Sequence, residues 1–442
     1  MEKSAKRYLE SWLPKLFLWV AVVILILLPI HAFLSTWAGS LFGTELIWKT
    51  WKEILLTVLV PLVALYCWLK PDIAKLLWGR LINKLIVAYV GLHVILSLWT
   101  IASSEAVLAG LLMNLRFLAI FVLVQIIVTG TSPTIKRLHQ FMTPWLLWTA
   151  IGLSVLAIVQ VTFLPKDFLT HFGYGLHTIA PYTLVDENPN ALRAFATMRG
   201  PNTLGAYLLL PLAIALYSLY KKQRLWLSGV TLGLGLITLG LTGSRSAWLG
   251  FVSTVIALGL LMVPRSTYKQ WLRRIALPGI LVVGLLSAAA ISIPVVRLAL
   301  FHSSPSDSHL LEGSTEQHWI ATVTGALSVV AHPLGQGVGS AGPASFYNTN
   351  DPAVISENYF VQIAEEVGLL GLILFLLICL NLWRQLRSSS SVLAIPLQAS
   401  FVGLSLTCLF LHTWADDPTA MTWWALAGLV ISLPTTKKRE PS

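Results

Sequence analysis

Long apolar runs, separated by gaps that are basic every second time, restrict what this chain can fold into. Inside a bilayer each backbone N–H and C=O must find its partner within the protein, so a run of about 20 apolar residues is confined to a helix. Only 11% of the 442 residues are charged, and the mean hydropathy is +0.76. Runs of roughly 17 to 24 apolar residues give about twelve spans. They start near Leu16, Ile54, Ile82, Ala106, Phe141, Thr203, Leu225, Ala247, Ile275, Gly368, Val392 and Thr419. The basic clusters are Lys3, Lys6, Arg7 and Lys15; Lys70, Lys75, Arg80 and Lys84; Lys136 and Arg137; Lys221, Lys222 and Arg224; Arg265, Lys269, Arg273 and Arg274; Arg384 and Arg387; and Lys437, Lys438 and Arg439. With twelve spans every cluster lands on one side, which the positive-inside rule makes the cytoplasm, along with both termini. An odd number of spans breaks that agreement.

The net charge of +11 does not point to nucleic acid. A nucleic-acid binder gathers its basic residues on one groove or patch, whereas here they sit at helix ends. The first apolar run follows a basic start but is longer than a signal h-region and leads into further spans, so it reads as an uncleaved helix. Cys67, Cys379 and Cys408 all fall inside expected spans, as small apolar fillers. No metal-ligand motif, dinucleotide fingerprint in a βαβ setting or serine elbow is present, so no metal and no cofactor is expected.

Chemistry is expected in two long connections on the side opposite the basic clusters, about 165–202 and about 297–357. In the second, Ser314-Thr315-Glu316-Gln317 has the capping-box pattern, and Trp319, Val323, Ala326 and Val330 share one face up to Ala331. This reads as an amphipathic helix at the outer membrane surface. Its other side carries His318 above Thr322 and Gly325, a face of small side chains with room for a partner; a plain surface histidine is the alternative. Glu357 and Asn358 stand where the chain re-enters the membrane. A carboxylate there suits a general base or a cation partner, and helix capping competes with both. Glu357, Val361 and Glu365 fall on one helical face, so the site can hold two carboxylates. In the first loop Arg193 and Arg199 bracket the approach to Gly200-Pro201-Asn202, and Thr242-Gly243-Ser244-Arg245 forms an outer turn. Three outer arginines, Arg193, Arg199 and Arg245, suggest an anionic ligand. Arg116, mid-span beside Asn114, is either functional or a tie between helices. His31, His93 and His412 read as buried hydrogen-bonding residues, and Asp416 and Asp417 as a solvated pair.

Taken in order, Arg193 with Gly200-Pro201-Asn202-Thr203-Leu204-Gly205, the Thr242–Arg245 turn, His332-Pro333-Leu334-Gly335-Gln336-Gly337-Val338-Gly339 and Glu366-Val367-Gly368-Leu369-Leu370-Gly371 make the chain resemble the O-antigen ligase and polymerase superfamily. These are bacterial membrane glycosyltransferases that join lipid-carried glycans at the outer membrane face. The resemblance covers about the second half of the chain. It implies an all-α polytopic protein, one integral membrane domain over 1–442, built as a C-type glycosyltransferase-like bundle of about twelve transmembrane helices. The large extracytoplasmic loop would lie between the ninth and tenth helices. The implied partners are an undecaprenyl-pyrophosphate-linked glycan donor, a glycan or lipid-linked glycan acceptor, and membrane lipid, with no nucleic acid; the implied place is the bacterial cytoplasmic membrane.

In the ligases of this superfamily arginines hold the pyrophosphate, and a loop histidine next to an asparagine activates the acceptor hydroxyl. By position Arg193 maps onto one such arginine. The histidine–asparagine pair is Glu357-Asn358 here, and the early loop arginine is replaced by His318. These departures move the expectation from lipid A-core ligation towards polymerisation. The expected site is therefore Glu357 and His318 as catalytic residues, with Arg193, Arg199, Asn202, Arg245 and Asn358 binding substrate. The rival readings are a transporter of lipid-linked oligosaccharide and a non-catalytic subunit of an assembly complex.

Overall fold

The computed structural model describes residues 3–130, 132–185, 188–263 and 313–433. The expected ninth span near Ile275 and the start of the second outer connection lie outside these residues. Helices α1 (Lys3–Leu27) and α2 (His31–Phe42) run on through one 3-10 turn at Leu28–Ile30, where Pro29 supplies no N–H. Then come α3 (Glu45–Leu69), α4 (Pro71–Gly79) and α5 (Leu81–Leu96), the last two bent by 88° across Arg80. After α6 (Ser104–Gly130) and α7 (Ser132–Thr162), the first outer connection folds into a small antiparallel hairpin of β1 (Thr183–Val185) and β2 (Asn188–Arg193). The chain continues as α8 (Pro201–Tyr220), α9 (Leu225–Leu241), α10 (Arg245–Met262), α11 (Gly313–Ala331), α12 (Tyr359–Ser388), α13 (Ala394–Thr407) and α14 (Asp417–Ser432).

Among the described residues seven helices are long and apolar enough to cross a membrane, or eight if α4 and α5 make one broken span. The protein is thus an all-α polytopic membrane protein, and among the described residues the strands amount to the one hairpin. Two helices start nine residues before the apolar runs suggested, α3 at Glu45 instead of Ile54 and α12 at Tyr359 instead of Gly368. The reason is the same in both. Both carry charges before the apolar run begins, Lys52 and Glu53 in α3 and Glu366 in α12, and these find partners inside the bundle, so the helix continues through them. At the centre, α6 packs along α14. Phe117 and Phe121 lie 5.0 and 5.5 Å from the ring of Trp424, and Gly428 lets the α14 backbone come close to the Phe121 carbonyl. Trp19, Trp68, Val58 and Leu98 stand exposed on the outside, as lipid-facing positions do.

The four resemblance motifs build two joints. In the first, the Arg193 guanidinium donates to the Thr242 carbonyl at 2.8 Å and to the Asn202 side-chain oxygen at 2.9 Å, while the Ala194 N–H donates to the Leu241 carbonyl. This clamps the hairpin, the start of α8 and the α9–α10 turn together. In the second, α12 breaks at Val367 and Gly368, which frees backbone groups inside the bundle. The segment from Pro333 to Gly337 satisfies them: Gln336 and Gly337 donate to the Glu365 and Glu366 carbonyls, and Leu369 donates to the Pro333 carbonyl. The buried Glu366 carboxylate then accepts from the Gly339 N–H, Asn114 and Gln362, fixing the loop to α6.

Gly337 shows why this segment is glycine-rich. Its φ is +94°, and a Cβ there would meet the Thr100 Cβ at 2.3 Å. Gly337→Ala is expected to cost about 2–5 kcal/mol from left-handed strain and overpacking together. A thermal melt in detergent would read this as a large drop; an unchanged midpoint would mean that the loop is not seated in the break.

Candidate active site

The first turns of α3, α6, α8 and α14 contribute Leu46, Glu105, Thr203 and Asp417 to the wall of one cavity of about 650 Å³. Helix N-termini present unpaired N–H groups and a partial positive charge, so four of them around one space favour an anion there. The residue after the first-joint loop, Arg199, and the turn between α13 and α14, with His412, Asp416 and Asp417, complete the part that matters chemically.

Beneath the cavity lies a charge network that holds the bundle together. Arg116 pairs with Glu53 at 2.7 Å, with Asp417, and with the Ala415 carbonyl. Lys52 is fully buried and pairs with Asp417 at 2.6 Å and Glu53 at 3.1 Å. Trp51 donates to Nδ1 of His31, which directs the ring's Nε2 toward Asp417 at 3.3 Å. Arg116 ties helices, as one of its two readings has it, and it also lines the cavity. Asp417 is a member of this network rather than half of a solvated pair. Its neighbour Asp416 accepts from Thr203 at 3.2 Å.

Burial pushes the Asp416 carboxyl up to about 6, against the lowering charge of Arg199. A carboxyl raised above its unfolded value of about 3.9 contributes stability at low pH and loses it as the pH rises through the folded value. Wild-type stability is therefore expected to fall between about pH 4 and just above 6, and in Asp416→Asn this part of the fall should be missing. Identical pH–stability curves for the two proteins would refute it.

Of the outer arginines, Arg199 alone lines the cavity; it is exposed, and among the described residues it forms no hydrogen bond or ion pair. Arg193 and Asn202 are bonded to each other within the first joint. Arg245 is the first residue of α10, half-buried and outside the cavity wall. The loop that carries Arg199 is held by Gln160, whose side chain accepts the Phe195 and Ala196 N–H groups.

Glu357 and His318 do come together, with Nδ1 3.4 Å from the carboxylate. The small face of α11 has found its partner: Thr322 donates to the Ser356 carbonyl, and Gly325 sits against Ser356, Val361 and Glu365. The apolar residues Trp319, Leu327 and Val330 are left exposed, as a surface-lying helix requires. Glu357 precedes α12 in left-handed backbone with φ +53°, so it does not follow the helical face of Val361 and Glu365. Asn358 caps α12 by accepting from Phe360 and Val361, and it donates to the Leu409 carbonyl. Burial raises the Glu357 carboxyl, but the His318 hydrogen bond and the charges of His318 and His412 outweigh it and hold it below the usual carboxylate value. His412 lines the cavity, and its Nε2 is shut from solvent, without a hydrogen-bond partner among the described residues.

Reading the sequence passed over Lys52 and Glu53, and it gave His412 only a buried hydrogen-bonding role and the two aspartates only a solvated one. The available signal was opposite charges at the outer ends of apolar runs, which are costly there unless paired.

A family model described as O-antigen ligase matches residues 230–376. The matched stretch contains the α9–α10 turn and the whole second joint, and it supports the O-antigen ligase and polymerase superfamily that the motifs resemble. In general terms it supports a cell-surface polysaccharide ligase or polymerase, a glycosyltransferase-like membrane enzyme using lipid-linked glycan and a glycan acceptor. No curated protein matches the chain.

Proposed function

We propose that the protein transfers a glycan from undecaprenyl pyrophosphate to an acceptor glycan, with inversion at the anomeric carbon, in the cavity beneath the second outer connection. The observation that carries this is the exposed Arg199, without a hydrogen bond or ion pair among the described residues, in a cavity walled by four helix N-termini and His412, while the Glu357–His318 pair stands at the entry to α12 outside that wall. Counting twelve spans, the cavity-forming helix ends face away from the basic clusters, so the site is extracytoplasmic in a bacterial cytoplasmic membrane and both termini are cytoplasmic.

The reaction follows from these groups. The donor pyrophosphate lies against Arg199 and the helix ends, where charge that develops on the leaving group meets preorganised positive charge. Arg193 and Asn202 act by holding the loops in place, and Asn358 by holding the entry to α12 beside Glu357. The acceptor hydroxyl loses its proton to the Glu357-containing cluster as its oxygen attacks the anomeric carbon. The bond to pyrophosphate breaks with its electron pair, leaving undecaprenyl pyrophosphate. The two departures from the ligase pattern favour chain polymerisation over transfer to a lipid A core.

Arg199→Ala tests the donor site. With one charge-stabilising donor gone, transfer from a lipid-linked oligosaccharide should fall about 10²-fold or more, while the melting temperature stays put because the side chain is exposed. Transfer at the wild-type rate would move the pyrophosphate elsewhere.

A further inference from the structure

The short helix α4 stands at 88° to α5, at the end of the bundle away from the cavity. Leu46, in the first turn of α3, lines the cavity, and the 25 residues of α3 run on for about 37 Å at a rise of 1.5 Å each. That exceeds the roughly 30 Å of hydrocarbon in a bilayer, so α4 begins at the opposite membrane boundary. Because α5 turns back into the bundle beside α12, the right angle lays α4 along the membrane plane.

A cluster of polar groups holds the bend. Arg80 at the corner donates to the Gln125 side chain and to the Ser432 hydroxyl, both at 2.9 Å. Asn83 donates to the Leu77 carbonyl at 2.9 Å and accepts from Gln125 at 3.0 Å. Gln125 is fully buried, and a buried amide is costly unless bonded, so the cluster fixes α4 to α6 and to the end of α14. Lys70, just before α4, pairs with Glu10 at 2.7 Å and ties the same corner to α1. Within α4 only Leu77 is buried, while Leu76 and Trp78 are 52% and 57% exposed and Trp68 and Leu81 on either side are exposed as well. Lys75 and Lys84 stand exposed among them, and neither forms a hydrogen bond or ion pair among the described residues. Asp72 is the one acid between Ile54 and Ser104.

We infer that α4 and its flanks form a binding surface for anionic phospholipid, with the Lys75 and Lys84 ammonium groups on headgroup phosphates of the leaflet opposite the cavity. The exposed apolar side chains around them lie at the edge of the acyl region. Tryptophan suits that depth, since its ring is apolar and its N–H reaches the headgroups. Lysine suits it too, because its stem lies along apolar surface while the ammonium stays at the polar boundary. A soluble anion or a nucleic acid would leave Leu76, Trp78 and Leu81 in water, whereas a lipid covers both kinds of group at once. The inference stands whatever reaction the cavity performs.

The test uses the full chain in an uncharged detergent, with phosphatidylglycerol or phosphatidylcholine added, and measures bound lipid by native mass spectrometry. The wild type should prefer phosphatidylglycerol, and the preference should shrink as salt rises. Two lysines near an anionic surface account for about 30-fold in affinity. Lys75→Gln with Lys84→Gln should therefore lose that much for phosphatidylglycerol and little for phosphatidylcholine. The melting temperature in lipid-free detergent should not move, because both side chains are exposed and unbonded. Arg384→Gln with Arg387→Gln removes the same charge from exposed positions at the end of α12 and should leave the preference in place. Equal affinity of the wild type for the two lipids would overturn the inference. So would equal losses in the two double variants, which would make net charge and not α4 the cause.

Discussion

Exchanging Glu357 for glutamine is expected to lower glycan transfer by about 10²–10⁴-fold, the range lost with a general acid–base group or its charge partner. Glutamine keeps the shape of the side chain and removes only its charge, so the loss reports chemistry and not packing. Stability should barely move. The pair with His318 is partly exposed, with side chains 44% and 31% accessible, and such pairs contribute on the order of 1 kcal/mol or less. Because the carboxyl is held below its usual value, that contribution is present above the unfolded value of about 4.3 and is lost as pH falls through the folded one. Cells carrying Glu357→Gln at normal protein level but still making surface polysaccharide of normal chain length would rule out any part for this carboxylate in proton transfer.

The second large effect falls on the fold. Arg116→Met leaves Glu53 and Asp417 with one cation, Lys52, between them in a membrane interior. Removing one partner of a buried charge network costs about 3–5 kcal/mol, because the remaining charge stays desolvated without compensation. The expected result is a melting temperature lowered by many degrees, or protein that fails to accumulate. Glu53→Gln combined with Arg116→Met removes one charge of each sign and should recover much of the loss. If Arg116→Met melts like the wild type, the network does not hold α3, α6 and α14 together.

The difference between these two variants mirrors what the sequence discloses. Apolar run length located most helices, and the ordered motifs located the joints, since glycine is needed at 335 where backbone enters the α12 break and at 337 and 339 where it presses on Thr100 and Ala106. The small face of α11 also pointed correctly to a partner, which proved to be Ser356 and Glu365. The network was illegible for a physical reason. Lys52 and Asp417 come from opposite ends of the chain, and a charge near the end of an apolar run looks like a loop residue until its partner is in view. Trimming α3 to start at Ile54 put Lys52 and Glu53 outside the membrane, when their pairing is what draws them in. Arg193 and Arg199 were likewise equivalent as outer arginines. Only the fold separates them, because one guanidinium is spent on Thr242 and Asn202 and the other is left facing the cavity.

The central claim is that the cavity at Arg199 and His412 polymerises lipid-linked glycan. Its most direct test is to supply purified protein in nanodiscs with undecaprenyl-pyrophosphate-linked oligosaccharide and resolve the lipid-linked products by length. The account predicts a ladder of longer chains with the wild type, faint or absent with Arg199→Ala, at equal protein and equal melting temperature. A wild-type protein that is folded yet leaves the donor unextended, or an Arg199→Ala ladder as long as the wild type's, would contradict it.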